Sequence, residues 1–161
     1  MRVVDCDDPA RCIGAGEEGE LAVSAPSMLS GHLDGDVPMV DGHLLTGDLA
    51  RIDERGRVYI TGRKKLLIDV GAYKVNPLEV EQELARHPGV AECVVVGVAL
   101  SDTIQRLRAV CVARDGAHAP TAEELRVFLR GRLSANKVPR MIDFAAALPK
   151  GPTGKVLRDR V

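Results

Sequence analysis

The chain has 161 residues, of which 45% are apolar, so it is long and apolar enough for one domain or two small ones. Its 22 basic and 23 acidic side chains nearly cancel, and two Phe, two Tyr and no Trp give few rings for stacking on bases, so we expect no nucleic-acid partner. Because no apolar run reaches membrane-spanning length and the N-terminus lacks a signal-peptide pattern, we expect no membrane partner.

The four cysteines indicate a reduced, cytoplasmic protein. Cys93 and Cys111 lie inside apolar runs, where buried thiols behave as small hydrophobic side chains. Cys6 and Cys12 match no metal-binding pattern, and no histidine has a cysteine or an acid at ligand spacing. We therefore predict no metal site within the chain.

Residues 1–63 are predicted to form short strands separated by turns. Extended runs are expected at 2–4, 19–23, 43–45 and 57–60, and the last two flank a hairpin turn at Asp53-Glu54-Arg55-Gly56. This segment is rich in glycine and is not expected to close a good barrel alone. Its strands would then have open edges that can pair with another chain, so a homodimer is among the expected assemblies.

Residues 64–161 are predicted to alternate between strands and helices. Asn76-Pro77 is a helix start, His87-Pro88-Gly89 ends that helix, and a capping box at Thr121–Glu124 opens a second helix. Strands are expected at 90–98, 107–113 and 141–146. The predicted class is therefore α/β (α+β), with a short strand-rich segment followed by a small domain whose few-stranded sheet is flanked by helices.

Three side chains suit a nucleotide site. Asp48, placed by a Thr-Gly turn after a strand, can accept two hydroxyl hydrogen bonds from a ribose. Arg63 follows another Thr-Gly pair and has a forked donor geometry, while Lys155, after a third, can offset charge that develops during nucleotidyl transfer. Each also has a structural explanation: Asp48 can cap a turn, Arg63 can pair with a surface acid such as Asp69, and Lys155 can be a solvated tail lysine.

Four motifs occur in order along nearly the whole chain. They are Gly19-Glu20-Leu21 through Gly31-His32-Leu33; Leu45-Thr46-Gly47-Asp48-Leu49; Gly62-Arg63-Lys64-Lys65 through Val75-Asn76-Pro77-Leu78-Glu79-Val80-Glu81; and Pro152-Thr153-Gly154-Lys155. With this order and spacing, the chain resembles the C-terminal part of the adenylate-forming enzymes, which include acyl- and aryl-CoA synthetases, luciferases and nonribosomal peptide adenylation domains. The resemblance implies that residues 1–63 are the end of a large N-terminal domain and that residues 64–161 are a mobile C-terminal domain.

The resemblance also implies roles for single residues. Asp48 would bind the ribose hydroxyls of AMP, and Arg63 would contact the nucleotide. Lys155 would be the adenylation lysine, which bridges carboxylate, phosphate and ribose oxygens. Lys65 would occupy the hinge about which the small domain swings between two half-reactions.

The loop from Ile68 to Lys74 would serve the second half-reaction, in which a thioester forms beside the pantetheine channel. Gly71 and Ala72 would border that channel, and the family usually has a glycine at the position of Ala72. Lys74 would face the phosphate where some relatives have an arginine, and a lysine lacks the arginine's bidentate fork.

The implied parent enzyme is an AMP-forming acid–thiol ligase that uses ATP and Mg²⁺ and passes an acyl group to CoA or to the phosphopantetheine of a carrier protein. The lysine hinge and the run 74–81 favour acyl- or aryl-CoA ligases. The phosphate loop and acyl pocket belong to the large domain, and no such phosphate loop occurs in these 161 residues. We therefore expect no activity from the chain alone and expect a large adenylation domain as its partner, in cis or in trans.

Two alternatives remain open at this point. The chain could be a non-catalytic interaction module that complements a separate large domain or docks a carrier protein. It could also be a truncated gene product or a fragment with no function of its own. The acyl substrate cannot be inferred, because the residues that select it belong to the large domain.

Overall fold

The chain forms two compact units, Met1–Leu66 and Leu67–Val161, in a computed structural model that describes residues 1–26, 37–99, 105–116 and 118–161. Each unit has its own apolar core. The interpretation of the first unit as the end of a larger domain stays a prediction. The Gly31-His32-Leu33 part of the first motif lies outside the described residues.

Antiparallel strands build the first unit. Within its described residues they are β1 (Arg2–Val4), β2 (Gly19–Val23), β3 (Met39–Val40), β4 (His43–Ile52) and β5 (Val58–Arg63). β4 is the long central strand: β2 pairs along one edge, while β3 and β5 pair with different stretches of the other edge. Val3, Leu21 and Ala50 form the buried core of this sheet.

β4 is longer than predicted because it bulges where a turn was expected. Its residues 46–48 lie opposite the single residue Leu21 of β2, and Gly47 takes the left-handed φ of +71° that such a bulge favours. The predicted turn at Thr46-Gly47 is therefore wrong, since the strand continues to Ile52. The second Thr-Gly pair likewise lies inside β5, where the register with β4 shifts around Thr61.

The second unit combines a hairpin, two helices and a mixed three-stranded sheet. In chain order its elements are β6 (Ile68–Val70), β7 (Tyr73–Val75), α1 (Pro77–Ala85), β8 (Val90–Ala99), β9 (Gln105–Ala113), α2 (Ala122–Arg130) and β10 (Met141–Phe144). β9 is the central strand of this sheet: β8 pairs with it in antiparallel orientation, and β10 pairs with its other edge in parallel orientation. This architecture confirms the predicted α+β class.

The two helices begin where the sequence predicts. The Asn76 side chain accepts a hydrogen bond from the Leu78 N–H at 3.1 Å, and Pro77 occupies the first helical position of α1. Thr121 and Glu124 form both hydrogen bonds of the predicted capping box of α2. Neither helix, nor any other helix among the described residues, is long and apolar enough to cross a membrane.

The core of the second unit joins the helices to one face of the sheet. Its fully buried members include Val80 and Leu84 from α1, Leu125 and Leu129 from α2, and Val95 and Ala109 from the sheet. Burying a Val or Leu side chain stabilises a fold by about 1.5–3 kcal/mol, so these helices are held mainly by packing. The opposite face of the sheet carries a smaller cluster of Val94, Val110 and Leu148.

The segment from Ile68 to Lys74 was predicted as a loop but forms most of a tight hairpin. Val70 pairs with Tyr73, which leaves Gly71-Ala72 as a two-residue turn. Gly71 has a φ of +66°, and two-residue hairpin turns favour glycine because they require such a backbone. Ile68 is buried, and β6 packs against β9. The predicted loop is therefore a supported hairpin with an exposed tip.

Candidate functional site

Asp48 and Arg63 meet in the first unit. They lie directly opposite each other on β4 and β5, and the Arg63 Nε lies 2.7 Å from the Asp48 Oδ1. The guanidinium side chain is 56% exposed and the carboxylate side chain 26% exposed, so both keep hydrogen-bonding atoms that a ligand can reach. The acid that pairs with Arg63 within the first unit is thus Asp48, whereas Asp69, the example named above, belongs to the second unit.

The buried Glu20 contacts the residues next to both members of this pair. It is only 3% exposed, and its Oε1 accepts a hydrogen bond from the Gly47 N–H at 3.1 Å. Its Oε2 lies 2.6 Å from the Lys64 Nζ, which provides the countercharge that a buried carboxylate requires. The Glu20 carboxylate thus contacts both Gly47, which precedes Asp48, and Lys64, which follows Arg63.

Lys64 and Lys65 lie in a short 3₁₀ helix, Lys64–Leu66, at the end of the first unit. Lys64 turns inward to Glu20, whereas Lys65 is exposed to solvent. The predicted hinge residue therefore lies one residue before the end of the first compact unit. Its role as a hinge stays a prediction.

The hairpin of the second unit brings three predicted residues together. Gly71 and Ala72 form its exposed tip, and Lys74 lies opposite Asp69 in the register of β6 and β7. The tip carries no side chain larger than a methyl group at these two positions. Such a tip can lie against a thin, extended ligand without steric obstruction.

The C-terminal loop begins and ends on the sheet of the second unit. Leu148 is buried beside Val94 and Val110, and the backbone of Lys150 forms an isolated bridge with that of Val156. The Lys150 Nζ also lies 2.8 Å from the Glu92 Oε1 at the edge of β8. The loop is therefore attached at its base before it extends into solvent.

A tight turn presents Lys155 at the end of this loop. The Gly151 N–H donates to the Lys155 carbonyl at 2.8 Å, and the Gly154 N–H donates to the Gly151 carbonyl at 2.9 Å. Gly154 has a φ of +78°, so the predicted Thr-Gly turn is present. Lys155 is exposed, and its ammonium group forms no ion pair with any residue that the structure describes.

Arg158 holds the chain that follows the loop. Its two terminal nitrogens lie 2.6 and 2.8 Å from the two carboxylate oxygens of Glu81 on α1, and its Nη1 also donates to the Val95 carbonyl at 2.8 Å. The Glu81 Oε1 in turn accepts the Val95 N–H at 2.7 Å. This network fastens the C-terminal segment to both a helix and the sheet.

The sequence reasoning did not identify Glu20 or Arg158. A charged residue within the apolar strand Gly19–Val23 indicates a buried, paired carboxylate, so Glu20 had a detectable signal. Arg158 had none, because its partner Glu81 is 77 residues away in the sequence. Only the fold brings these two residues into contact.

The cysteines of the second unit do not supply a nucleophile. Burial raises the pKa of the Cys93 thiol to about 12 and that of Cys111 to about 11. Both side chains therefore remain protonated at neutral pH, and both pack with the apolar core. Their predicted role as small hydrophobic residues is confirmed.

Comparisons with known proteins agree with this arrangement. Residues 79–155 match the family model of the AMP-binding enzyme C-terminal domain, and the match ends at Lys155. The chain is 40% identical over 149 residues to a long-chain-fatty-acid–CoA ligase of Bacillus subtilis, with 90% of this chain and 26% of the ligase covered.

Solved structures give the same relationship in three dimensions. ATP-bound MatB from Rhodopseudomonas palustris matches 99% of this chain and 33% of its own chain, with a TM-score of 0.83 and 34% identity. The amide bond synthetase McbA from Marinactinospora thermotolerans matches the same shares, with a TM-score of 0.83 and 32% identity. The chain thus spans between about a quarter and a third of the length of these relatives. Over nearly its whole length the chain is therefore similar to the C-terminal part of adenylate-forming ligases, and residues 79–155 match the C-terminal domain of AMP-binding enzymes.

Proposed function

We propose that this chain supplies the adenylation lysine and the thioesterification hairpin of an AMP-forming acid–thiol ligase. The observation that carries the proposal is the exposed Lys155, presented on an anchored turn at the end of the matched domain. An ammonium group without an internal partner is available to an anionic substrate. The turn fixes the backbone of Lys155, which a solvated tail lysine does not require, and this feature favours a catalytic role.

In the first half-reaction, a carboxylate oxygen of the substrate attacks the α-phosphorus of ATP, and the bond to pyrophosphate breaks. Lys155 would place its positive charge beside the phosphate and carboxylate oxygens, where negative charge accumulates. Asp48 would accept hydrogen bonds from the ribose hydroxyls through the carboxylate lone pairs that Arg63 leaves unused. Arg63 would orient Asp48 and contact the nucleotide with its remaining N–H groups.

In the second half-reaction, a thiolate attacks the acyl carbon and AMP leaves. The hairpin tip at Gly71-Ala72 would lie beside the pantetheine arm of the thiol, with Lys74 facing its phosphate. The methyl group of Ala72 narrows this path slightly compared with glycine. Lys65 would be the hinge that lets one small domain serve both steps.

The proposed partners follow from the short span of the match. A large adenylation domain, in cis or in trans, would provide the phosphate loop, the adenine pocket and the acyl pocket. We assign no residue of this chain as a Mg²⁺ ligand; the ion would accompany the phosphates of ATP. The acceptor would be CoA or the phosphopantetheine of a carrier protein, and the location cytoplasmic, while a homodimer stays a prediction from open strand edges.

Reconstitution tests the proposal. We define the grafted ligase as the Bacillus subtilis relative in which this chain replaces the matched segment. The purified chain alone should give no ATP–pyrophosphate exchange with a panel of carboxylates, whereas the grafted ligase should give exchange and then form a thioester with CoA. Robust exchange by the chain alone would contradict the requirement for a large domain.

The non-catalytic alternative gives a different result in the same assay. If the chain only complements or docks another protein, the grafted ligase would remain equally active when Lys155 is replaced. Co-purification of a large domain that lacks its own small domain would support this alternative.

A further inference from the structure

The strongest polar network in the second unit lies next to the candidate lysine, on residues to which the proposed mechanism assigns no role. Arg158 follows Lys155 by three positions and forms a bidentate pair with Glu81. The Arg158 side chain is 26% exposed and the Glu81 side chain 14% exposed, so solvent screens this pair less than an exposed one. A bidentate arginine–carboxylate pair also fixes the relative orientation of the two side chains, because both N–H···O hydrogen bonds must be aligned.

The pair connects three separate parts of the unit. The Oε1 of Glu81 accepts the Val95 N–H from β8, while Arg158 donates to the Val95 carbonyl. Helix α1, strand β8 and the C-terminal segment are thus joined at a single backbone position. Arg158 is the only contributor from the C-terminal segment to this junction among the described residues.

The loop is consequently held on both sides of Lys155. On the N-terminal side, Leu148 and the pair of Lys150 with Glu92 fix the base of the loop. On the C-terminal side, the Leu157 N–H donates to the Pro149 carbonyl at 2.8 Å, and Arg158 then fixes the segment to α1. Without Arg158, the second attachment would rest on backbone hydrogen bonds and on the packing of the partly buried Val156 and Val161 against the cluster of Val94, Val110 and Leu148, with no charged pair to fix its direction.

We propose that Arg158, paired with Glu81, is a positioning residue that holds Lys155 for the adenylation half-reaction and has no part in thiol transfer. This inference rests on the proposed function. A lysine on a loosened loop must be ordered again in each turnover, so the rate of the step that uses Lys155 falls. The hairpin that carries Gly71-Ala72 is supported instead by the pairing of β6 with β7 and by the packing of β6 on β9, so we expect it to keep its structure when Arg158 is replaced.

The first test uses the 161-residue chain itself. Arg158→Gln should increase the picosecond-to-nanosecond motion of the amides of residues 153–156, measured by ¹⁵N relaxation, with little change at the hairpin tip. Arg160→Gln removes the same charge from an exposed side chain two residues later and should leave the loop unchanged. Equal relaxation in the two variants would overturn the proposal, whatever the outcome of any activity assay.

The second test separates the half-reactions in the grafted ligase. Arg158→Gln should lower pyrophosphate exchange by about 10- to 100-fold, while thiol transfer from supplied acyl-adenylate stays within about twofold. Arg158→Lys should not restore exchange, because one ammonium group cannot replace both guanidinium bonds. An equal loss in both half-reactions would indicate a general structural role and would overturn the inference.

The same assay distinguishes this inference from the proposed function. If Lys155→Ala leaves exchange intact, the proposed function fails. If Lys155→Ala abolishes exchange while Arg158→Gln behaves like Arg160→Gln, only the positioning role fails.

Discussion

Asp48 and Arg63 lie opposite each other next to a register shift between β4 and β5, and Asp48 also lies in the bulge of β4 against β2. The sequence placed both residues in a nucleotide site, but it gave no indication that they pair with each other. Neither irregularity could be predicted, because a Thr-Gly pair followed by a charged residue is equally typical of a turn. The register of the sheet decides between these outcomes, and register depends on contacts across strands.

Replacement of Glu20 tests the support beneath this pair. Glu20→Gln keeps the size of the side chain but leaves Lys64 without its countercharge, so the free energy of unfolding should fall by about 2 kcal/mol. Urea denaturation measures this change. Glu54→Gln, which removes an exposed carboxylate from the turn before β5, is the control and should change stability little. A Glu20 variant as stable as this control would show that the buried pair does not stabilise the unit.

At the scale of elements, the starts of both helices and the first two strands were predicted, whereas the full lengths of β4 and β5 were not. The starts of α1 and α2 follow from Asn76-Pro77 and from the Thr121–Glu124 box, both of which act within a few residues. The hairpin at Ile68–Val75 was missed, because each of its strands has only three residues, too few for their alternation of apolar and polar residues to indicate a strand. Local capping chemistry is visible in a sequence, whereas packing of a hairpin on a sheet depends on residues far along the chain.

The α2 capping box should make stability depend on pH. Hydrogen bonds from the Thr121 backbone and hydroxyl lower the pKa of Glu124 below its ordinary value. The stabilisation is therefore complete above the ordinary glutamate pKa and is lost as the pH falls through the lowered pKa of the folded state. Glu124→Gln should be less stable than the unmodified chain at neutral pH, and the difference should shrink on acidification.

Thermal unfolding at several pH values measures this difference. Asp115→Asn, in the exposed turn after β9, is a matched control that removes a carboxylate without removing a cap. A constant difference between Glu124→Gln and the unmodified chain down to strongly acidic pH would contradict the assigned role of the box.

At the scale of the whole molecule, the residues with proposed roles are divided between two compact units. Asp48 and Arg63 belong to the first unit, whereas the hairpin tip and Lys155 belong to the second. The four ordered motifs were sufficient to predict the relationship to adenylate-forming enzymes, which the family model and solved structures support. Glu20 and Arg158 lie in or beside these motifs, but their contacts with Gly47, Lys64, Glu81 and Val95 could not be predicted from local sequence.

The central claim is that Lys155 acts in adenylation, and pyrophosphate exchange by the grafted ligase tests it most directly. Lys155→Ala should lower the exchange rate by at least about 100-fold, because it removes the charge that offsets the developing negative charge. Arg160→Ala removes one positive charge from the same segment and should keep the rate within about twofold. Exchange by the Lys155→Ala ligase at the rate of the Arg160→Ala control would contradict the account.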